Sequence, residues 1–410
     1  MLSDFKKLIA VRFLFTFAVE MQSVLLGWRM YELTHSTLYL AMIGLAEALP
    51  ALGLALYAGY VVDRSRPLIV LRWVILGSAA SGLVMWLCQL PASNLSDHYQ
   101  VIALFVASFL TGAARSFSQP SLYAILPRIV ERQFLSRELA WMTSAMQLAR
   151  ISGPGLGGLI FGMTDAATAS AVVCFTLLAA IGFLSLMKTR LDPPERSATQ
   201  GSKLHELLLG AKFVVRHPIL FPALSLDMIS VLFGGVTGLM PVYAKDILRA
   251  GKYGLGALRA APAIGATVVS FMLAHSTWIR ARAGVWLFLA IGGFGICMLI
   301  FGVSENFYLS LAVLGLSGAF DSVSVIVRST AVQLSSPDAL RGRISAVNSI
   351  FIGSSNELGE VESGLVAKWL GTVPSVLFGG AMCLVTVAIV AVLSPALRRL
   401  DLRKLEAEAV

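Results

Sequence analysis

Residues 59–66 read GYVVDRSR and lie between two long apolar runs, 38–62 and 68–90. Each run is longer than the roughly 20 residues that an α-helix needs to cross the hydrocarbon core of a bilayer. Two arginines at the edge of such runs are typical of the cytoplasmic face of a membrane. The octapeptide therefore predicts a short cytoplasmic loop that joins two membrane-spanning helices.

Three residues of this loop are candidates for contacts with other helices. Gly59 is expected to let another helix approach closely, as small residues do between membrane helices. Asp63, with Arg64 beside it, is expected to pair with the positive N-terminal end of a neighbouring helix. The alternative is a topogenic turn, whose arginines only fix the orientation of the chain.

The composition excludes a soluble globular protein. Of the 410 residues, 57% are hydrophobic and 13% are charged, and the mean hydropathy is +0.79. Apolar stretches of about 20 residues recur from end to end, which is typical of a polytopic membrane protein. The first stretch is too long for a cleavable signal peptide and lacks its Ala-x-Ala end. All four cysteines lie inside apolar runs, which favours buried thiols over disulfides or metal ligands.

The apolar pattern predicts an all-α protein with twelve spans and a polar linker. The predicted spans are residues 8–33, 38–62, 68–90, 101–122, 139–162, 166–187, 219–244, 255–274, 285–303, 307–332, 344–366 and 374–392. The chain is thereby divided into an N-terminal six-helix half, a linker, a C-terminal six-helix half and a tail. Their bounds are 1–187, 188–217, 218–394 and 395–410.

The placement of lysine and arginine predicts the orientation in the membrane. Of the 32 basic residues, 22 lie at the two termini, in the linker, and in or close to the loops on the same side as residues 59–66. Both termini and the linker are therefore expected to be cytoplasmic. The net charge of +9 is then topogenic and does not indicate nucleic-acid binding. In the linker, an apolar face formed by Leu204, Leu207, Leu208 and Ala211 predicts a short interfacial helix.

The two halves are related in sequence. A shift of 206 residues aligns spans four and five with spans ten and eleven without a gap. Identical pairs include Gly112/Gly318, Ala113/Ala319, Ser116/Ser322, Ser118/Ser324, Arg137/Arg343, Ala140/Ala346, Gly153/Gly359 and Gly158/Gly364. A common register across both spans favours duplication, and duplicated parallel halves with a substrate site near the midplane are a known transporter architecture.

The chain resembles the major facilitator superfamily of transporters over nearly its full length. It is similar in particular to the branch that includes bacterial enterobactin exporters and related efflux proteins. The segments that carry this resemblance are WRMYELTHS (28–36), RSFSQPSLYAILP (115–127), SGPGLGG (152–158), FVVRHP (213–218) and PDALRGRIS (337–345). The loop signature of the superfamily matches Gly59, Asp63 and Arg64, but it usually has a second glycine where this chain has Arg66. The resemblance implies two pseudo-symmetric halves, alternating access, a monomer and a location in a bacterial inner membrane. It also implies that Gly59, Asp63 and Arg64 form part of a gate.

Charged residues inside spans are costly, so they mark candidates for function. The apolar interiors of spans three, six, nine and twelve have none, and the resemblance implies that these spans are peripheral to a central cavity. The candidates for proton coupling or for the cavity are Glu20, Asp227, Asp321, Arg115, Glu357 and Glu360. Glu20 and Asp227 take nearly corresponding places in spans one and seven, and the resemblance implies that they face each other. The alternative for each charge is a static buried ion pair that fixes helix packing.

Two further segments stand out. In span five, Pro154 predicts a kink, and Gly153, Gly157 and Gly158 predict close contact with another span. The resemblance of this segment to an antiporter signature implies a helix-packing hinge; the alternative is small-residue packing alone. In span eleven, Glu357 and Glu360 lie one turn apart and indicate either a cation site or proton relay, or a water-filled vestibule.

The sequence favours a transporter over an enzyme. It has no nucleotide-binding Gly-x-x-x-x-Gly-Lys loop, nucleophile elbow or zinc motif, so we expect no cofactor and no metal. Energy must then come from an ion gradient or from the gradient of the substrate. The prediction is a secondary active transporter, specifically a proton-coupled exporter of a small amphiphilic molecule such as a siderophore or drug. The alternatives are a facilitated or lipid-like amphiphile transporter without proton coupling, and a non-transporting sensor or scaffold.

The orientation can be tested with single cysteines in a variant that lacks the four native ones. A membrane-impermeant thiol reagent should label residues 94–96 in intact cells and residues 197–202 only after permeabilisation, because the basic loops should stay inside. The opposite labelling would overturn the orientation.

Overall fold

A computed structural model describes residues 4–90, 93, 95–189, 191, 203–274, 278–337 and 340–408. All regular elements in these ranges are helices, which confirms the prediction of an all-α fold. Contacts between residues divide the chain into two units, Met1–Ala198 with Met240–Ala260, and Thr199–Leu239 with Ala261–Val410. The first unit therefore takes in the end of predicted span seven and the start of span eight.

The helices follow the predicted spans closely. Before the linker they are α1 (Asp4–Thr34), α2 (Thr37–Gly53), α3 (Ala55–Arg64), α4 (Pro67–Gln89), α5 (Asp97–Ile129), α6 (Leu135–Met163) and α7 (Ala166–Ser185). From the linker onward they are α8 (Lys203–Arg216), α9 (Leu220–Gly234), α10 (Met240–Val242), α11 (Gly251–Ala274), α12 (Ala283–Val303), α13 (Phe307–Ser335), α14 (Arg341–Leu370), α15 (Thr372–Leu393), α16 (Pro395–Arg398) and α17 (Leu402–Glu408).

The lengths and compositions of these helices are those of a polytopic membrane protein. In the described ranges, nine helical segments are long and apolar enough to cross a membrane, and the bent pair of α2 and α3 makes a tenth. The helices α6 and α14 have 29 and 30 residues but are less apolar. With these two, the long helical segments are consistent with the twelve predicted spans.

Predicted span two is broken, which corrects the expectation of one continuous helix over 38–62. The chain bends by 49° between α2 and α3. Pro50 lies inside α2 and supplies no N–H to the helical ladder, and Gly53 at the end of α2 is a poor helix former. The helix is therefore weakest where it breaks.

A buried polar cluster joins α1, α4 and α5 in the first unit. The side-chain amide of Gln22 donates hydrogen bonds to Ser81 Oγ at 2.6 Å and to Thr111 Oγ1 at 3.0 Å. Ser81 in turn donates to the carbonyl of Ala107 at 2.6 Å. Gln22 and Ser81 are completely buried. Hydrogen bonds of this kind between membrane helices contribute about 0.6 kcal/mol each.

In the second unit, the tail closes over one end of α12. The amide of Gly284 donates a hydrogen bond to the carbonyl of Leu400 at 3.2 Å, and Leu397 belongs to the buried apolar cluster beneath it. The linker helix α8 lies where the sequence predicts a helix, and its Gly210 packs against the backbone of Arg343. The side chains of Leu204, Leu207 and Leu208 lie outside the described residues.

Equivalent glycine contacts occur in both units and support the two pseudo-symmetric halves. A Cβ on Gly112 would lie 2.0 Å from the carbonyl oxygen of Glu47, and one on Gly318 would lie 1.9 Å from that of Pro262. Gly112 and Gly318 are equivalent under the shift of 206 residues. In both units, the fourth helix of the half thus packs on the second through a glycine that no other residue can replace without movement.

Substituting Gly112 by alanine should therefore destabilise the protein. Overpacking of a close contact typically costs about 1–3 kcal/mol, so the melting temperature of the detergent-purified variant should fall. Gly182→Ala in α7 is the matched control, because a Cβ added at Gly182 would have no described atom within 4 Å. Equal melting temperatures for the two variants would contradict the packing argument.

Candidate functional site

Three of the arginine–carboxylate pairs in the described part of the chain lie within predicted spans and join two different helices. Arg115 of α5 pairs with Glu47 of α2, and Arg328 of α13 pairs with Asp227 of α9. The third, Arg150 of α6, lies farther from its partner on α1, Glu20. Since an isolated charge within a span is costly, the pairs explain how these charges are tolerated there.

The pair between Asp227 and Arg328 is the most buried of the three. The exposed fractions of the two side chains are 7% and 4%, respectively. Ser324 Oγ is 3.5 Å from Asp227 Oδ1 and donates a hydrogen bond to it. Removing one partner of such a pair leaves an uncompensated buried charge, so this contact has a strong structural role.

A small cavity adjoins this pair within the second unit. Its volume is about 10 Å³, and Asp227, Ser230, Asp321 and Ser324 supply its polar lining. That volume is close to the room needed for one water molecule. The structure thus brings Asp227 and Asp321 to the same cavity, next to the buried hydroxyl of Ser230.

The pair between Glu20 and Arg150 is looser and more accessible. Arg150 Nε is 3.7 Å from Glu20 Oε1, and the exposed fractions of the two side chains are 51% for Arg150 and 32% for Glu20. Arg12 lies close enough for its charge to act on that of Arg150, and its Nη2 donates to Met146 Sδ at 2.8 Å, a weak acceptor. In the described part of the chain, no carboxylate pairs with Arg12, so this cluster has two cations and one carboxylate.

Glu20 and Asp227 do not take corresponding places, which corrects the sequence-based expectation. Gly153 packs on the carbonyl of Phe17, and its counterpart Gly359 packs on the carbonyls of Val231 and Leu232. By this correspondence, Glu20 is equivalent to Gly234 or Gly235. Asp227 lies about two helical turns earlier along its span. The shift of 206 residues does not extend to spans one and seven.

The loop signature is mostly helical. Gly59, Asp63 and Arg64 all lie in α3, and only Ser65 and Arg66 connect it to α4. The expectation that Gly59 admits a close helix contact is wrong here, since a Cβ added at Gly59 would have no described atom within 4 Å. Asp63 is exposed, and the guanidinium carbon of Arg64 is 4.0 Å from the centroid of the Tyr60 ring. A gating role for these residues remains a prediction.

The glycines of span five lie at two different contacts in the first unit. Gly153 and Gly157 pack on α1, where a Cβ would lie 2.8 Å from Glu20 Cβ and from Met21 Cγ, respectively. Gly158 packs on α11, where a Cβ would lie 2.6 Å from Gly256 Cα. Pro154 lies between these contacts inside α6. The segment thus joins α6 to two helices over little more than one turn.

Glu357 and Glu360 lie one turn apart on α14, and both are half-buried. Among the described residues, no group of three or more carboxylate, histidine or cysteine side chains could hold a metal ion. The backbone of Glu360 packs near Gly238, where an added Cβ would lie 3.4 Å from the Glu360 carbonyl oxygen. The proton-relay and vestibule interpretations of these glutamates both remain predictions.

Two polar contacts of the first unit escaped the sequence analysis. The amide of Gln22 lies at the centre of a buried cluster, and the hydroxyl of Tyr31 donates a short hydrogen bond to Asp246. Both contacts involve uncharged side chains of span one, whereas the sequence was searched for charges within spans. A search for amides and tyrosines in apolar runs would have found them.

Long apolar helices with ion pairs between them define a polytopic membrane protein. The family model described as transmembrane secretion effector, of the major facilitator superfamily, matches residues 3–409. The chain belongs to this family.

Curated relatives agree with this assignment. The chain is 25% identical over 358 residues to proteins named enterobactin exporter EntS from Shigella boydii serotype 4 (strain Sb227) and Escherichia coli O139:H28 (strain E24377A / ETEC). In both cases the match covers 84% of this chain and 80% of the relative.

Solved structures show the same fold. A POT family transporter in complex with 5-aminolevulinic acid is similar with a TM-score of 0.75 and 11% identity, over 96% of both chains. The nucleoside transporter NupG is similar with a TM-score of 0.74 and 12% identity, over 95% of this chain and 99% of the other. The fold is therefore that of a major facilitator transporter.

The structural role of the most buried pair can be measured. Asp227→Asn should lower the free energy of unfolding by about 3–5 kcal/mol, because it leaves the charge of Arg328 buried and uncompensated. Thermal melting of the purified protein checks this, and the double variant Asp227→Asn/Arg328→Met should recover part of the loss. Glu406→Gln is the control, since its pair with Arg280 is exposed and should contribute at most about 1 kcal/mol. Equal losses for Asp227→Asn and Glu406→Gln would contradict the argument.

Proposed function

We propose that the protein is a secondary active exporter that exchanges protons for a small amphiphilic molecule of the siderophore or drug-like class. The observation that carries the proposal is the accessible pair between Glu20 and Arg150. The similarity to proteins named enterobactin exporters supports both the direction of transport and the class of substrate. A bacterial inner membrane, cytoplasmic termini and a monomeric state are part of the same proposal.

Glu20 is the better of the two leading candidates for coupling. At 3.7 Å its contact with Arg150 is longer than a good charge-assisted hydrogen bond, so the carboxylate can exchange this partner for another. An ionised carboxylate accepts charge-assisted hydrogen bonds from the hydroxyl or amine groups of a substrate, and a proton on the same group removes the charge and weakens those bonds. Substrate and proton then compete for one group, and this differential affinity links their two gradients.

Asp227 ranks after Glu20 as a candidate for coupling. A proton can bind Asp227 only after its buried ion pair with Arg328 has opened. Its position beside a cavity of about 10 Å³ supports access for a single water molecule. The burial of the pair between Asp227 and Arg328 also supports a different function, which is facilitated export without proton coupling. A static ion pair that only stabilises helix packing explains this contact fully. The behaviour of Glu20 and Asp227 variants separates these two functions.

The coupling can be tested in inside-out membrane vesicles with enterobactin as the probe. Acidifying the vesicle interior should drive uptake by the wild-type protein. Glu20→Gln should abolish this pH-driven uptake and leave downhill exchange of enterobactin measurable, because only the competition with protons is lost. Glu32→Gln is the matched control, as Glu32 lies on the same helix and is also paired with an arginine, Arg29.

The possible results lead to distinct conclusions. Full pH-driven uptake by Glu20→Gln would move the coupling role to Asp227, Asp321 or the glutamates of span eleven. Full uptake by the corresponding variants at every one of these positions would overturn proton antiport in favour of facilitated export. If the wild-type protein transports no enterobactin in either direction, a panel of amphiphilic dyes and drugs replaces it as the probe. No transport of any probe would overturn the transporter assignment for this substrate class.

A further inference from the structure

An open groove lies in the first unit, beside the break in predicted span two. Its volume is about 540 Å³, which is within the range of small-molecule sites. One wall is α3, and the others are the first half of α4 and the middle of α5. The lining residues are Val61, Ser65, Arg66, Ile69, Val70, Trp73, Val74, Gly77, Leu110, Ala113, Ala114 and Phe117.

The groove adjoins the part of predicted span two that follows the break. The chain bends by 49° between α2 and α3, and Val61 of α3 lines the groove together with residues of α4 and α5. Small residues line the groove where α4 and α5 meet, and a Cβ added at Gly77 would lie 3.7 Å from Ala114 Cβ. The groove is thus a gap between three helices.

The length of the groove matches one leaflet of a bilayer. Along α4 it extends from Arg66, just before the first helical residue, to Gly77. At a rise of 1.5 Å per residue this distance is about 16 Å, roughly half of the 30 Å hydrocarbon core. The groove therefore runs from the membrane edge to near its midplane.

Polarity is distributed along the groove as in a phospholipid. Ser65 and Arg66 form the end at the membrane edge, and the remaining lining side chains are apolar. Trp73 is 69% exposed in the protein alone, and Ile69 is 45% exposed. Such exposure indicates that both side chains contact lipid in a membrane. Arg66 stands where the resembled signature has a glycine, so this charge is a feature of the chain itself.

We propose that the groove binds one anionic phospholipid of the leaflet on the cytoplasmic side. The phosphate lies at Arg66 and Ser65, and an acyl chain lies against Trp73, Ile69 and Phe117. A basic side chain at the surface of a membrane favours an anionic headgroup by about five-fold in affinity. The lipid fills the groove between α3, α4 and α5. The leaflet follows from the proposed orientation of the chain, and the binding itself does not depend on the proposed transport of a substrate.

Trp73 provides a local probe of the groove. Purified protein is reconstituted into vesicles that contain increasing fractions of brominated phosphatidylglycerol or brominated phosphatidylcholine, whose bromine atoms quench tryptophan fluorescence on contact. The signal of Trp73 is the difference between the wild-type protein and Trp73→Phe. Half-maximal quenching of this signal should occur at an about five-fold lower fraction of the anionic lipid than of the zwitterionic lipid.

Variants of the same surface make the test specific. Arg66→Gln should remove the preference for the anionic lipid, whereas Arg72→Gln should retain it, since Arg72 is an exposed arginine on α4 that does not line the groove. Ala113→Leu narrows the floor and should weaken quenching of Trp73 by the anionic lipid. The elution volume in gel filtration identifies any variant that is not folded, and such a variant is set aside. The lipid preference of the folded variants then supports or overturns the proposal.

Three results would overturn the proposal. The first is equal quenching by the two lipids in the wild-type protein, and the second is an unchanged preference in folded Arg66→Gln. The third is relief of the anionic-lipid quenching by added enterobactin, which would assign the groove to a transported molecule.

Discussion

Hydrocarbon cannot solvate a charge, and most of the organisation of this protein depends on that constraint. The described structure satisfies it with pairs that link one helix to another, as Arg115 does with Glu47 and Arg328 with Asp227. Such pairs restrict which helices can be neighbours and at what depth. They also concentrate the titratable groups at helix contacts, where a change of protonation alters packing. Under the proposed function, the same side chains would carry both structural and transport roles.

The three pairs differ in how firmly they are held, and this difference bears on function. A buried pair such as Asp227 with Arg328 is costly to open, because each partner would be left without compensation. The pair between Glu20 and Arg150 is longer and more accessible, so it can open at a lower cost. Gly153 of α6 packs directly on Glu20 of α1. This packing fixes the position of the weaker contact along the two helices.

Close helix packing and helix breakage have the same origin in small residues and proline. Gly112 and Gly318 allow backbone contacts at equivalent points of the two halves, and no larger side chain fits there. Near Pro50 and Gly53, the same residue types weaken a helix enough for it to bend. The groove that we propose as a lipid site adjoins this bend. A sequence rich in small residues thus produces both tight contacts and gaps.

The sequence by itself determined the all-α membrane class, the superfamily and the duplication, because apolar length, motifs and a repeated register are properties of short segments. The break in span two could have been suspected from Pro50 and Gly53, but its angle depends on the helices around it. Only the tertiary structure decided which charges pair with each other, as in the pair between Glu47 and Arg115, which are 68 residues apart in sequence. It also decided that Glu20 corresponds to the glycines at the end of α9 and not to Asp227. Which residues are equivalent in the two repeats depends on which backbone atoms are in contact. Insertions between spans change the sequence offset from one span to the next, so a single shift cannot reveal this equivalence.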